Sequence, residues 1–396
     1  KPVLAEAATR IESIAGTSTG AIDAALYSSV YRANELDSIL HSYDFTEIMQ
    51  DNLPRRTQSI YQKENTEKYI ITLPLKEGSI GLPRALSKGQ NVFNELSKLT
   101  EHIHAIDDFS QLPIPFFCVA TDLETGDEII LERGFLPEAV KASGAFPTLL
   151  DPVEVDGKLL VDGGVVNNFP TDIMRNKEVD VVIGIDVQDK LKVKGSLDSA
   201  PTIIMQIVNF QMYDDGQLKK GLTDVYIHPD ISDFTVVSFD EKTEIIKSGV
   251  VEAQKQFSAL KQIAEKQKRD RVFVIDDVIR FKRNNLKIDK VIIKGTKNYT
   301  NEYVLGKLGI KKGEPFTYDQ FSKGINQLSA TQNFKSIQYK FLDSKTIEFK
   351  LEESVVSSFV KIGAHFDDLY KTAALLNVTS KHLLFDNDVI SADLIL

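Results

Sequence analysis

The sequence predicts an α/β domain, then a small two-layer domain of β-α-α-β-β order, and then the first strands of a β-barrel. Up to about Phe234, β-rich apolar runs alternate with helical stretches, which is typical of an α/β fold. Residues 287–351 then contain a strand, two helices and two alternating strands, enough for one complete two-layer domain. From Phe359 onward, segments of about ten residues alternate apolar with polar positions, as barrel strands do.

The composition is that of a globular protein with an acidic balance. Hydrophobic residues make up 42% of the 396 positions and charged residues 26%, and the formal net charge is −10. This balance argues against a nucleic-acid partner, which needs a concentrated basic face, but not against a membrane. No apolar stretch reaches the roughly 18 residues of a membrane-spanning helix. Because the chain starts at Lys1-Pro2 without a Met or a signal segment, we expect a fragment or a mature form.

The elements of the α/β region follow from the length and spacing of its apolar residues. Val179–Val187 is the clearest apolar run and predicts a buried strand. Cys118, the single cysteine, lies in another such run and is expected to be a buried small hydrophobe rather than a nucleophile. The other predicted strands are Ile11–Ala15, Ile114–Ala120, Glu128–Leu131 and Lys158–Val161, and the predicted helices are Ala21–Val30, Asn94–His102, Leu136–Ser143 and Asp240–Lys268.

The motif Gly-Thr-Ser-Thr-Gly at residues 16–20 is the first candidate for chemistry. It follows a predicted strand and precedes a predicted helix, which is the context that a G-x-S-x-G nucleophile elbow requires. We expect glycine to be required at positions 16 and 20, because a side chain at either position would collide with the backbone of this tight turn. The turn would present the Ser18 hydroxyl at a helix N-terminus, where developing negative charge is stabilised.

A serine hydroxyl needs a base, and the sequence offers two. In the usual triad the base is a histidine. Of the six histidines, His102 and His104 are expected at the surface, and His228, at a strand end, is the one plausible triad member. The alternative is Asp162, which follows a predicted strand and precedes two glycines that allow its carboxylate to approach another turn.

The pair of motifs resembles the signature of patatin-like phospholipases, which use a Ser–Asp dyad without histidine. The elbow at residues 16–20 is followed far downstream by Asp162-Gly163-Gly164. The resemblance covers most of residues 10–235. Three further stretches agree with this family: Val119–Gly126, Lys141–Pro147 and Asn167–Pro170. The resemblance implies that Ser18 is the acylated nucleophile and that Asp162 is the general base that later activates water.

One family feature, a glycine-rich loop whose amides form the oxyanion hole, is not found in the chain. Only 17 residues precede Ser18, and residues 1–13 contain no glycine. Lys1–Leu4 is interpreted as the end of the first strand, so we expect the loop to be missing from this sequence. The Thr19 backbone N–H is then the remaining oxyanion donor. No Cys/His/Asp cluster has metal-ligand spacing, so we expect neither metal nor cofactor.

The second half resembles a different module. The order of elements, with Gly295, Gly313 and Phe334, resembles a POTRA domain, which precedes outer-membrane barrels. We therefore predict a lipid hydrolase domain at 1–268, a linker at 269–284, a POTRA-like domain at 285–354 and a truncated barrel from 355 to 396. A capping box, Thr317-x-x-Gln320, opens the second helix of the POTRA-like domain.

The combined order resembles the patatin-like autotransporters of Gram-negative bacteria. It implies a phospholipase of A type in the outer membrane, with the hydrolase domain periplasmic or surface-exposed and with a phospholipid substrate. A homo-oligomer is compatible with the sequence. Two alternatives stay open: a non-enzymatic assembly or transport module whose POTRA-like domain binds strands by edge pairing, and a Ser-His-Asp esterase that uses His228.

Overall fold

The computed structural model describes residues 2–51, 53, 63, 68–76, 78–188, 190–197, 200–234, 238–267, 286–367, 371–381, 383–384 and 388–396. The chain divides into two compact units, the first formed by Lys1–Gln50 and Asn91–Phe281 and the second by Asp51–Gln90 and Lys282–Leu396. The predicted linker at 269–284 lies outside the described residues.

A five-stranded sheet forms the centre of the first unit. Its middle strand β4 (Phe116–Asp122) is buried at every residue. Strand β1 (Ile14–Thr17) pairs with β4 in parallel, and β5 (Glu128–Leu131) and β7 (Lys158–Asp162) pair with it antiparallel. Strand β6 (Val153–Val155) extends the sheet beyond β7.

Helices cover both faces of this sheet, which gives three layers. On one face, Cys118 packs among residues of α2 (Thr19–Ser28) and α6 (Leu136–Ser143). On the opposite face, Val119 packs against α7 (Thr171–Asn176). The predicted α/β class and the burial of Cys118 are confirmed. The other α-helices described before residue 268 are α1 (Pro2–Glu6), α3 (Ala33–Ser42), α4 (Phe45–Met49), α5 (Gln90–Leu99), α8 (Ala200–Lys220), α9 (Lys242–Lys255) and α10 (Phe257–Lys266).

The start of the chain differs from the prediction. Lys1–Leu4 was interpreted as a strand end, but Pro2–Glu6 is the helix α1. Its apolar residues pack in one cluster with Leu260, because their spacing fits one face of a helix. Strand β1 begins at Ile14 rather than at Ile11. The predicted helix Asp240–Lys268 is divided at Gln256 into α9 and α10.

The prediction of a long buried strand at Val179–Val187 is wrong. Only Ile183–Ile185 (β8) is a strand there, and it pairs in parallel with β9 (Val225–Ile227) in a two-stranded sheet. Val181 and Val187 are 39% and 56% exposed. A run of apolar residues indicates hydrophobicity, but it does not indicate how many neighbouring strands will cover it.

The surface position predicted for His104 is also wrong. Its side chain is buried, its Nε2 lies 2.9 Å from the Ser97 carbonyl, and its ring packs edge-on against Phe135. His102 is partly buried, with Nε2 2.9 Å from the Ser29 carbonyl. Both imidazoles are therefore structural.

The second unit contains the predicted β-α-α-β-β domain. The order is β11 (Lys290–Lys294), α11 (Asn301–Leu308), α12 (Tyr318–Ala330), β13 (Phe334–Phe341) and β14 (Thr346–Glu353). Strand β14 lies between the parallel β11 and the antiparallel β13. The capping box is formed, and two short strands, β10 (Leu286–Lys287) and β12 (Pro315–Phe316), pair beside this sheet.

A second sheet in this unit contains the alternating strands at the end of the sequence. Strands β15 (Ser358–Asp367), β16 (Lys371–Lys381) and β17 (Val389–Ile395) are antiparallel neighbours. The other edge of β15 pairs with β2 (Ile71–Lys76), which continues to β3 (Ser79–Ile80). Neither β2 nor β3 was predicted. The predicted turn at residues 368–369 lies outside the described residues.

One face of this sheet is apolar, whereas the other carries polar residues beside Leu375, which is 4% exposed. Ile362, Leu376 and Leu394 are cross-strand neighbours on one face, and Ile362 and Leu394 are 41% and 51% exposed. On the other face Asn377 is only 1% exposed, and its Nδ2 donates a hydrogen bond to Ser391 Oγ at 2.7 Å. A water-soluble hairpin buries its apolar face, so this arrangement is the reverse of the usual one and typical of barrel strands.

Candidate active site

Ser18 lies at the junction of β1 and α2. Strand β1 ends at Thr17, and α2 begins at Thr19. Ser18 therefore occupies the N-cap position, with φ 55° and ψ −125°. A positive φ is unfavourable for a residue with a side chain, and such strain is concentrated at functional sites. The backbone conformation is that of a strand–turn–helix elbow.

The glycines of the two motifs are required to different degrees. A Cβ atom on Gly16 would lie 2.3 Å from the Gly20 carbonyl oxygen, and one on Gly163 would lie 2.1 Å from the Val119 carbonyl oxygen. Gly164 is less crowded, since a Cβ atom there would meet side-chain oxygens at 3.0 Å. The prediction that a side chain at Gly20 would collide with the backbone is wrong, because nothing lies within 4 Å of a Cβ atom built there. Gly20 faces solvent. Of the two glycines of the elbow, therefore, only Gly16 is at a position where the turn excludes a side chain.

Strand β4 brings the serine and the aspartate together. Val119 pairs with Thr17 of β1, and the next residue, Ala120, pairs with Asp162 of β7. Strand β5 occupies the other edge of β4 at both positions. Strands β1 and β7 therefore meet end to end along one edge of β4. Since β7 runs in the opposite direction to β1, the carboxyl ends of both strands point toward the same place.

The resulting contact between the two side chains is direct. The Ser18 hydroxyl donates a hydrogen bond to Asp162 Oδ2 at 2.6 Å. The second carboxylate oxygen, Oδ1, accepts a hydrogen bond from the Gly164 backbone N–H at 2.7 Å. Ser18 is partly exposed, whereas Asp162 is only 3% exposed. One side of the pair is thus accessible to a ligand while the carboxylate is fixed in the interior.

The environment of Asp162 gives its carboxylate the properties of a base. Burial raises the pKa of Asp162 from 3.8 to about 6, and the hydrogen bonds from Ser18 and from the Gly164 N–H oppose that rise. A carboxylate with this pKa is ionised at neutral pH and is more basic than an exposed aspartate. The effect of desolvation is the larger one because the side chain is almost completely enclosed.

His228 has different neighbours. Its Nδ1 lies 2.9 Å from the Asp186 carbonyl oxygen, and its ring stacks on Tyr226. The Tyr226 hydroxyl donates to Asp186 Oδ2 at 2.7 Å. The imidazole therefore belongs to a hydrogen-bonded group at the ends of strand β9 and its neighbour β8. The structure brings Ser18 together with Asp162, not with His228.

The backbone amides around Ser18 are unequal as candidate oxyanion donors. The Ser18 N–H donates to Ser143 Oγ at 3.1 Å and is already engaged. Thr19 is exposed and is the first residue of α2, where amides have no acceptor within the helix. Ser143 lies in a stretch that the sequence singled out, but its contact with Ser18 was missed. Only the three-dimensional contact between distant segments reveals it.

Two further hydroxyl groups hold the backbone near the pair. Thr17 Oγ1 donates to the Asn167 carbonyl at 3.0 Å, and Thr121 Oγ1 donates to the Asp162 carbonyl at 2.8 Å. Across the described ranges, no group of three or more His, Cys, Asp or Glu side chains is arranged to hold a metal ion. In that same part of the chain, no helix has the length and apolarity needed to cross a membrane.

The first unit is a three-layer α/β domain with a serine–aspartate pair at a strand–turn–helix elbow. Residues 3–175 match the family described as patatin-like phospholipase. Residues 286–354 match the POTRA family, described as a surface antigen variable number repeat, and residues 345–396 match the OMP85 superfamily. The chain therefore contains a patatin-like domain, a POTRA domain and a barrel-type C-terminal segment, which confirms the predicted resemblance to the patatin-like and POTRA families.

The curated relatives match half of the chain or less. An NTE family protein of Mycobacterium bovis is 29% identical over 199 residues, which are 50% of this chain and 47% of that protein. An NTE family protein of Mycobacterium tuberculosis is 31% identical over 185 residues, or 47% of this chain and 27% of the relative. A patatin-like phospholipase domain-containing protein of Caenorhabditis elegans is 44% identical over 78 residues, 19% of this chain and 6% of its own length. The chain thus spans less than half of the length of each of these relatives.

Proposed function

We propose that the protein hydrolyses acyl esters of lipids, with phospholipids as the substrate class and with A-type cleavage. The observation that supports this most is the 2.6 Å hydrogen bond from Ser18 Oγ to a buried carboxylate at a strand–turn–helix elbow. The match of residues 3–175 to patatin-like phospholipases supports the lipid substrate. The C. elegans relative, which is named a patatin-like phospholipase domain-containing protein, supports the same family.

In the proposed reaction, Asp162 removes the proton of the Ser18 hydroxyl while Oγ attacks the ester carbonyl carbon. The carbonyl oxygen becomes an oxyanion, which a hydrogen bond from the Thr19 N–H would stabilise. The carbon–oxygen bond to the leaving alcohol then breaks, and Asp162 returns the proton to that alcohol. Water next attacks the acyl-Ser18 carbonyl and gives its proton to Asp162. Release of the fatty acid returns that proton to Ser18 Oγ.

The alternatives are less well supported by the contacts. A Ser-His-Asp esterase would need His228 beside Ser18. Instead, the Nδ1 atom of His228 lies within hydrogen-bond distance of the Asp186 carbonyl oxygen, and the ring stacks on Tyr226. A purely non-enzymatic assembly module would not require a serine with positive φ next to a carboxylate whose pKa is raised to about 6.

The location that we propose is the outer membrane of a Gram-negative bacterium. The matches to the POTRA family and to the OMP85 superfamily support it. So does the exposed apolar face of β15–β17, which a membrane would cover. Within this proposal the hydrolase domain comprises residues 1–268 except for Asp51–Gln90, which belong to the second unit, the POTRA domain comprises 285–354 and the start of the barrel 355–396. The hydrolase domain would then be periplasmic or surface-exposed, in an autotransporter-type arrangement. Homo-oligomers are compatible with this location.

The direct test is release of fatty acid from phospholipids in mixed detergent micelles. We expect the protein to release fatty acid labelled in one acyl chain, and comparison of substrates labelled at either position identifies the bond cleaved. Ser18→Ala is the matched control and should release none. Equal release by both proteins would exclude Ser18 as the nucleophile. If the natural protein released no fatty acid under any detergent condition, the proposal would be refuted.

A further inference from the structure

One turn contacts both members of the candidate pair. It comprises the last residue of α6 and the two that follow, Ser143 to Ala145. Ser143 Oγ accepts a hydrogen bond from the Ser18 backbone N–H at 3.1 Å. The Ala145 carbonyl oxygen accepts a hydrogen bond from the Asp162 backbone N–H at 2.9 Å. The serine and the aspartate are thus held from the same three residues.

The Ser143 hydroxyl is fixed in orientation by a second bond. It donates to the Val119 carbonyl oxygen at 2.6 Å, and the side chain is completely buried. A serine hydroxyl has one proton to donate. Because that proton points toward Val119, the lone pairs of Oγ are available to the Ser18 N–H. The hydroxyl thus links β4 to the elbow, as the donor to the Val119 carbonyl and as the acceptor from the Ser18 N–H.

We propose that Ser143 is a positioning residue for the reaction, which holds the Ser18 backbone so that its hydroxyl reaches Asp162 and the Thr19 N–H remains free for the oxyanion. This inference rests on the proposed function. Ser18 has a positive φ, which an unsupported turn would relax. The bond to Ser143 Oγ anchors the amide on one side of that strained residue. It also occupies the Ser18 amide, which leaves the amide of the following residue to bind the oxyanion.

The expected effect of removing the hydroxyl follows from geometry. In Ser143→Ala the Ser18 N–H loses its acceptor, and the elbow can rotate away from Asp162. A displacement of about 1 Å in a catalytic group typically lowers the rate about 10²-fold. We expect kcat and the rate of labelling by a fluorophosphonate to fall about that much, while KM changes little, because Ser143 is buried and does not contact substrate.

The chain offers a matched control. Ser29 is also completely buried, and its hydroxyl donates to the Ala25 carbonyl at 2.7 Å, at the far end of α2 from Ser18. Ser29→Ala removes a buried hydroxyl and a hydrogen bond to a carbonyl without touching the pair. Ser143→Cys keeps the approximate shape with a weak acceptor and should give a rate between those of Ser143→Ala and the natural protein.

The pH profile separates positioning from simple destabilisation. The hydrogen bond from Ser18 lowers the pKa of Asp162. If Ser143→Ala weakens that bond, the pKa rises, and the acid limb of the kcat profile moves to higher pH. A general loss of stability lowers the amount of active protein at all pH values without moving this limb. Ser29→Ala should therefore leave the limb in place.

The experiment uses the full chain in detergent, with thermal unfolding of each variant measured in parallel. The inference is supported if Ser143→Ala lowers kcat and labelling about 10²-fold and shifts the acid limb, while Ser29→Ala does neither. It is overturned if both variants have the same rates, or if KM rises while kcat is unchanged. If Ser143→Ala does not fold, Ser143→Cys carries the test, and natural rates with an unshifted limb in that variant overturn the inference. Absence of labelling and fatty-acid release in the natural protein overturns the proposed function as well.

Discussion

Replacing Asp162 with Asn should stabilise the fold and remove the activity, because one buried carboxylate is responsible for both effects. Its pKa is raised from 3.8 to about 6 by desolvation. At about 1.4 kcal/mol per pKa unit, this difference corresponds to about 3 kcal/mol. Since the folded pKa lies above the unfolded one, protonated Asp162 contributes this stability to the natural protein in full below pH 3.8. It is lost as the pH rises through about 6.

Asp162→Asn keeps the shape of the side chain and has no charge to desolvate. Its advantage in free energy of unfolding over the natural protein should therefore be greater at pH 8 than at pH 4.5, by about 2 kcal/mol. Fatty-acid release should fall by about 10²–10⁴-fold, because an amide cannot accept the proton of Ser18. In the natural protein, activity should decline as the pH falls below about 6, where Asp162 becomes protonated.

Pulse proteolysis of the full chain across urea concentrations, at pH 4.5 and pH 8 in the same detergent, measures the stability difference. An advantage of Asp162→Asn that is the same at both pH values would refute desolvation of the Asp162 carboxylate as its cause. A correctly folded Asp162→Asn with natural activity would refute Asp162 as the base.

Four further outcomes are expected. Ser18→Ala should abolish covalent labelling by a fluorophosphonate probe, and labelling that persists would show a different nucleophile. His228→Ala should retain most esterase activity, and an inactive, folded His228→Ala would favour the triad. Gly163→Ala should lower both the melting temperature and activity, because its Cβ atom would lie 2.1 Å from a backbone carbonyl oxygen, whereas Gly249→Ala has open space and should do neither. A chain ending at Glu353 should be monodisperse without detergent more readily than the chain of 396 residues, and equal behaviour would remove the reason for a membrane-facing sheet.

The candidate pair could be predicted from the sequence because its two halves are local motifs. The strand before Ser18, the helix after it and the glycines beside Asp162 are each visible within a few residues. The predicted β-α-α-β-β order was also local, since turns, a capping box and alternation mark each of its elements. What the sequence could not give was the distance between the motifs, which depends on the pairing of β1 and β7 with the same edge of β4.

The features that were missed depend on long-range contacts. The bond between Ser143 and Ser18 joins residues 125 positions apart, and nothing in either segment indicates the other. Strand β2 pairs with β15 from a distant part of the chain. The error at Val179–Val187 has a related cause, because the burial of a strand depends on its neighbours as well as on its own side chains. His104 was placed at the surface because the ring of Phe135 that covers it is not adjacent in sequence.

The end-to-end meeting of β1 and β7 has a consequence for the timing of biosynthesis. Ser18, the proposed nucleophile, is made 144 residues before Asp162, its proposed base. Until β7 has been synthesised and has docked on β4, the Ser18 hydroxyl is an ordinary, unreactive alcohol. If the protein hydrolyses membrane lipids as proposed, its nascent and unfolded chains would be inactive toward the membranes of its own cell. That delay in activity would follow from the order of strands in the sheet.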